Sequence, residues 1–418
     1  MKKRYKVLLG LFCLLVALCL GLQLDDDLSP DAVALIEQVD WHSPSEAFVF
    51  HLGMEAELGA DPMVVGQEVL AEIRQLEAAY ATLTSFDDLP SLSKRDALEL
   101  GDYRAFCSLR DDKGCLAQLF GDTDIPLASP EMIAAKERYL KFLDFGDYRT
   151  LTEPHYLEHF GGFSAWAKGN RLVSLEAIAL AKAGDPVLAS TELYEVLALQ
   201  RRLMAQTDTL IARMVSYVLL NETIDVLALI HREFSVPGRT IKPLATDELS
   251  LHAVLAHEFM FARSGFDMVS LDSEFNEYSA WPNWVLQMGL KPNITLNALV
   301  PIYSRAIGIS EMPSPRFESD HQMVVNRSRF RNYLGSKIFI EAIPDFKPYI
   351  ARGFNLNVKI ALFNGLINNE INDATLGGIE NPYFDNEFNA TLSEDGKRVC
   401  MDGPLEDLRG FRCVAVKY

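Results

Sequence analysis

The chain has 418 residues, 49% of them hydrophobic and 23% charged. This is a globular composition with apolar material for one large core or two smaller ones, and it excludes disorder over most of the length. A formal net charge of −19 repels phosphate backbones and anionic headgroups, so nucleic acid is not an expected partner.

The N-terminus departs from that average. Lys2, Lys3, Arg4 and Lys6 precede an uncharged apolar run from Val7 to Leu24, which Asp25, Asp26 and Asp27 close. Eighteen residues at 1.5 Å each make a helix of about 27 Å, close to the hydrocarbon thickness of a bilayer. Basic flanks stay in the cytoplasm. The expectation is a single-pass inner-membrane anchor formed by residues 7–24, with everything after it in the periplasm. A cleaved signal peptide, with Cys19 and Gly21 near the cut, and lipidation at Cys19 are the competing readings, and both leave the body on the same side.

The next signals are helix starts. Ser29-Pro30-Asp31, Asp61-Pro62, Ser129-Pro130 and Asp185-Pro186 each place a capping side chain before proline at the first helical position, predicting helices near 30–39, 62–85, 130–144 and 186–205. Between the second and third lie Cys107 and Cys115, and near the end of the chain Cys400 and Cys413. Beyond the anchor the cysteines thus form two local pairs, expected to be disulfides in an oxidising compartment; four free thiols are the alternative.

His155-Tyr156-Leu157-Glu158-His159 matches the H-x-x-E-H pattern of inverted zinc peptidases, where His155 and His159 would bind zinc and Glu158 would activate water. A third ligand would have to come from Glu222, Glu233 or Glu248. Pro154 before the motif and Gly161-Gly162 after it leave at most two helical turns, so ordinary histidines near a loop are the preferred reading, with no metal and no cofactor expected. His252 and His257, five apart, would stand about 140° apart on a helix and make a worse pair.

Leu172 to Met204 reads as two amphipathic segments joined by Ala183-Gly184-Asp185-Pro186, an antiparallel helical hairpin, and a third long helix should follow over about 208–233. The hairpin has tetratricopeptide form, but no second copy follows at a period of about 34 residues, so the packing should be irregular. Thr246, Asp247 and Glu248 should open a helix that Gly265 ends. On it Glu258 shares an apolar face with Leu251, Val254, Leu255 and Ala262, and a carboxylate buried there needs a partner such as Arg201, Arg202 or Arg213. A core ion pair, Glu258 with Arg213, is expected in preference to a catalytic acid. Residues 266–320 carry five prolines and should form short helices and ordered loops. A last long helix is predicted over about 346–371. After Gly377-Gly378 the β-prone runs Arg398–Met401 and Phe411–Val416 predict a small hairpin.

Leu52-Gly53, Asp61-Pro62 with Gly66, the Cys107/Cys115 pair, Thr209-Leu210-Ile211, Lys291-Pro292-Asn293-Ile294-Thr295-Leu296-Asn297 and Asn381-Pro382-Tyr383 occur in that order. Together they resemble an uncharacterised family of N-terminally anchored, helix-rich envelope proteins of Gram-negative bacteria. Where that family tends to continue Asn-Pro-Tyr with Thr-Gly-Lys-Pro, this chain has Phe384-Asp385-Asn386-Glu387.

No HExxH, Walker A, GxSxG or dinucleotide fingerprint is present. Four Asn-x-Ser/Thr triplets are uninformative at this length. The combined expectation is a mainly α protein of irregularly packed helical hairpins in three parts: an anchor at 1–24, a helical body at 25–376, and a β-containing module at 377–418. Its expected function is non-catalytic, a scaffold or interaction protein binding an envelope protein partner. A zinc-dependent hydrolase using His155, Glu158 and His159 is the alternative.

Overall fold

A computed structural model of the chain describes residues 5–7, 9–14, 21, 24–80, 90–107, 114–121, 125–155, 157–271, 289–313, 317, 331–337, 343–383, 389–407 and 410–418. After the N-terminal apolar segment the helices are α1 (Pro30–Glu37), α2 (Glu46–Gly53), α3 (Pro62–Tyr80), α4 (Cys115–Phe120), α5 (Pro130–Phe145), α6 (Ser164–Lys182) and α7 (Pro186–Gln206). They continue as α8 (Leu210–Glu233), α9 (Thr246–Leu249), α10 (His252–Leu271), α11 (Pro292–Ser310), α12 (Tyr333–Gly335), α13 (Lys347–Leu366) and α14 (Asp373–Gly377). Strands β1 (Thr391–Leu392), β2 (Arg398–Cys400) and β3 (Cys413–Ala415) form one antiparallel sheet in that order. The protein is mainly α with a small C-terminal sheet.

The proline-marked starts hold because each cap is local. Ser29, Ser129 and Asp185 accept the backbone N–H of Ala32, Met132 and Leu188, and Asp61 accepts that of Met63. Helices α6 and α7 form the expected hairpin, and α8 packs against both. Helix α8 is long and apolar enough to cross a membrane, but 78% of that window is buried inside the protein. It is the core helix.

Four helices meet there around a buried polar layer. Gln200 on α7 donates to Tyr139 Oη of α5 at 3.0 Å and to Asn170 Oδ1 of α6 at 2.7 Å, while Thr223 of α8 donates to the same oxygen at 3.2 Å. These side-chain bonds cross-link α5, α6, α7 and α8 inside the core. Helices α2 and α3 meet closely for a steric reason. A Cβ at Gly53 would lie 1.9 Å from the Pro62 carbonyl oxygen, and one at Gly66 would lie 1.8 Å from that of Val49.

Two expectations are corrected. The helix opened by Thr246 stops at Leu249, and α10 restarts at His252 and runs through Gly265 to Leu271. The expected Glu258–Arg213 pair does not form, and the break explains why. The buried Arg213 guanidinium donates to the carbonyls of Glu248 and Ser250 at 3.1 and 3.0 Å, and to those of Ala205 and Thr207 at 3.4 and 3.2 Å. Two helix C-termini thus present their orphan carbonyls and negative dipole ends to one cation. Glu258 instead accepts the backbone N–H of Leu210, at the positive N-terminus of α8.

Within residues 266–320, Pro292 to Ser310 is one helix despite Pro301. Leu296, Leu299 and Tyr303 are buried on both sides of the proline, and packing against α10 outweighs the lost hydrogen bond. The long helix expected over 346–371 ends at Leu366.

The tail docks through a buried charge. Lys359 Nζ of α13 lies 2.8 Å from Asp225 Oδ1 of α8, with side chains 0% and 3% exposed, and also donates to the Cys413 carbonyl at 2.8 Å. Asp225 accepts the Ala415 N–H at 2.9 Å. Tyr383 adds a second tie, donating to Asn355 Oδ1 of α13 at 2.9 Å. Removing one member of such a pair leaves a charge buried alone. Lys359→Met should therefore cost about 3–5 kcal/mol, and adding Asp225→Leu should restore much of it. Denaturant midpoints of the two variants check this, and equal losses in both would refute a role for the charge pair.

Candidate functional site

His155, Glu158 and His159 lie in the non-helical part of the connection between α5 and α6. Pro154 and the left-handed Gly161, φ 76°, frame a stretch too short for the helix that zinc binding would need. His155 and Glu158 engage different partners. His155 Nδ1 accepts the Leu157 N–H at 3.0 Å, and its Nε2 lies 4.0 Å from Glu77 Oε1 of α3. Burial lowers His155 to about 4, with His159 adding to the effect, and burial raises Glu77 to about 7.

Glu158 points elsewhere. Its Oε1 accepts from Thr152 Oγ1 at 2.8 Å and lies 3.1 Å from His257 Nε2 of α10, with the Glu158 and His257 side chains 0% and 3% exposed. Burial raises the Glu158 carboxyl against the pull of His257. Burial alone would lower His257, but the carboxylates of Glu158, Asp208 and Glu258 together outweigh it, Glu158 foremost, and the imidazole is raised. The buried carboxylate found on this motif is therefore matched to an imidazole rather than to zinc. Among the described residues, no three His, Cys, Asp or Glu side chains are grouped to hold a metal ion.

A second buried histidine, His51, is also committed. It accepts from Trp166 Nε1 at 2.8 Å and its Nε2 bonds the Phe160 carbonyl at 2.8 Å, so it is neutral, and burial holds it down to about 4. A nearby cleft of about 430 Å³ contains Asp40, Asp147 and Asp208, but each carboxylate is already used. Asp40 accepts from His42 and Ser43, Asp147 caps α2, and Asp208 binds Thr150 through its N–H and Oγ1.

The arrangement that could receive a partner lies on α13. Asn357, Asn364 and Asn368, the last in the turn after the helix, project one, two and three turns apart on one side and hold the extended segment 238–244. Asn368 Oδ1 accepts the Gly238 N–H at 2.9 Å and its Nδ2 donates to the Gly238 carbonyl at 3.1 Å. Asn364 does the same to Ile241 at 2.7 and 2.8 Å, and Asn357 to Leu244 at 2.7 and 3.5 Å. The clasped residues are three apart, in a stretch that is neither helix nor strand. Beside this strap runs a groove of about 1170 Å³ between residues 243–249, α13 and residues 374–382. Leu249, Ile360, Ala361 and Ile379 give it an apolar floor, and Asn357 and Asn364 face it as well as the strap.

The sequence reading missed both His257 as the partner of Glu158 and the asparagine row. The row was visible in principle, since positions i, i+7 and i+11 share a helix face. Residues 384–387, where the chain departs from the family pattern, lie outside the described residues, as do most of residues 15–23. No family model, no curated protein and no solved structure matches this chain.

Two outcomes are expected. Glu158→Gln should lower the pKa of His257, measured by NMR titration of its ring proton, because the foremost of the carboxylates that outweigh burial is gone; an unmoved titration would show that the pair is not electrostatic. Protein purified with zinc present should carry no stoichiometric metal by elemental analysis. One zinc per chain, lost in folded His155→Ala and His159→Ala variants, would reinstate the hydrolase.

Proposed function

We propose that this is a non-catalytic interaction protein of the cell envelope, tethered to the inner membrane through residues 7–24, whose body holds an extended segment of an envelope protein partner in the α13 groove. The observation that carries the reading is the asparagine row. One side of α13 already clasps an extended, proline-bracketed stretch of this chain by paired amide bonds, and two of the same asparagines face the groove. A partner strand with a similar repeat would meet both an apolar floor and amide partners for its backbone. The disulfides support an oxidising compartment. The apolar side chains of Val7, Leu9, Leu11, Phe12 and Leu14 are exposed on a helix, which supports lipid as their surroundings.

The body is also held close to that segment. Asp25 accepts the N–H groups of Asn293 and Ile294 at the start of α11 at 2.9 and 3.1 Å, and Asn297 bonds Asp27 and Ser29 at 2.9 and 2.7 Å. The Lys291–Asn297 motif is thus a clamp on the residues that follow the apolar run.

A photo-crosslinking residue at Ala361, used with the intact protein in membranes, should capture a partner peptide that the same probe at Val187, outside the groove, does not. A synthetic version of that peptide should bind the purified protein and lose at least tenfold in affinity with Ala361→Arg, which fills the groove. Equal crosslinking at both positions, or undiminished peptide binding by the variant, would overturn the reading.

A further inference from the structure

The disulfide between Cys107 and Cys115 joins two sulfurs in unlike surroundings. Cys115 is wholly buried, whereas Cys107 is partly exposed. Arg171 of α6, its side chain only 6% exposed, places Nη1 3.3 Å from Cys115 Sγ and 3.6 Å from Cys107 Sγ. The same nitrogen donates to the Ala105 and Cys107 carbonyls at 2.8 and 3.0 Å, which fixes the guanidinium against the bridge. Behind it, Nη2 lies 3.3 Å from Glu222 Oε1 of α8. The other disulfide is different. Lys359 reaches the Cys413 carbonyl, and among the described residues no side chain donates to a sulfur of the Cys400–Cys413 pair.

A permanent cation beside a sulfur does little for a disulfide and much for a thiolate. We propose that Cys107–Cys115 is a redox-active disulfide that exchanges with a dithiol protein, with Cys107 the sulfur attacked and Cys115 the leaving group. The incoming thiolate bonds to Cys107 Sγ, the Cys107–Cys115 bond breaks, and its electron pair stays on Cys115 Sγ beside Arg171. The partner's second thiol, as a thiolate, then attacks its own sulfur in the mixed disulfide and releases Cys107. The balance is one disulfide reduced to two thiols here and one dithiol oxidised to a disulfide in the partner, two electrons and two protons passing between them. Exchange is faster the lower the pKa of the leaving thiol. Arg171 is a positioning residue for that step. Glu222 opposes it by partly neutralising the guanidinium.

The test uses the full chain equilibrated in glutathione buffers of graded ratio, with each cysteine pair quantified by differential alkylation and mass spectrometry. Cys107–Cys115 should reduce at a less reducing ratio than Cys400–Cys413. Arg171→Gln should shift its midpoint about tenfold toward more reducing buffer, as loss of a charge-assisted contact requires, and Arg171→Lys should restore part of the shift. Glu222→Gln should move the midpoint the other way, a sign that mere loosening of the loop would not distinguish by residue charge. It keeps the proposal testable if Arg171→Gln does not fold. Glutathione adducts should appear on Cys107, and in the reduced protein Cys115 should alkylate with a pH midpoint below the free-thiol value of about 8.5. Co-reduction of the two pairs, adducts on Cys115, or a Cys115 midpoint at or above the free value would overturn the assignment.

Discussion

Two carboxylates one turn apart on the buried helix α8, Glu222 and Asp225, govern how the rest of the chain assembles. A charge taken out of water needs a counter-charge and further hydrogen bonds, or it unfolds what buries it. Glu222 finds Arg171 from α6, and Asp225 finds Lys359 from α13 on the other side. Because the two acids are neighbours at i and i+3, the loss of either cation would leave the remaining pair unbalanced. Each cation, once paired, has donors to spare, and each spends them on a cysteine-bearing segment: Arg171 on the Cys107–Cys115 loop, Lys359 on the Cys413 carbonyl of β3. The two disulfided segments are thereby docked on one helix, and they meet where Phe120 of α4 stacks on Tyr418 with ring centroids 5.0 Å apart.

Buried charges here are also matched without ion pairs. Arg213 serves the carbonyls at the ends of α7 and α9, and Glu258 meets the first N–H of α8. Helix termini carry partial charge and unmet hydrogen bonds, so they substitute for a counter-ion. The sequence reading placed Glu258 on an apolar face and expected a guanidinium. The burial was legible because it follows from a 3.6-residue period. The partner was not, because a helix end recruits a carboxylate only after the chain has folded back across forty-odd positions.

That contrast runs through the chain. Helices begun by Ser-Pro or Asp-Pro could be read to within a residue at their starts, since the cap and the capped N–H lie two or three residues apart. The short α2 and the break at Ser250 escaped notice. The first has only eight residues, and the second is stabilised by Arg213 from another helix as well as by Ser250 Oγ, which accepts the His252 N–H at 3.2 Å. Pro301 misled for the converse reason, because local grammar forbids what packing of Leu296, Leu299 and Tyr303 maintains. The HxxEH pattern carries chemistry only on a helix, and Pro154 with Gly161 denies it one. What remains is a carboxylate that must be buried somewhere, and the partner that allows it, His257, is 99 positions away.

The asparagine row gives α13 two tasks that the same side chains can share. A primary amide offers one acceptor and two donors, so Asn364 can serve Ile241 through Oδ1 and Nδ2 and still present a second N–H toward the groove. The strap matters for this, because without it the amides would be free to rotate and any bound chain would have to order them at an entropic cost. Tyr194 and Arg201 hold the strap from the other side, at Arg239 and at Lys242 and Pro243. The strap is thus tied on one side to α13 and on the other to α7, which fixes the groove wall that it forms at residues 243–245. On the proposed reading, a partner strand in this groove is selected by register, since amide partners three residues apart reward only a backbone that keeps the same repeat.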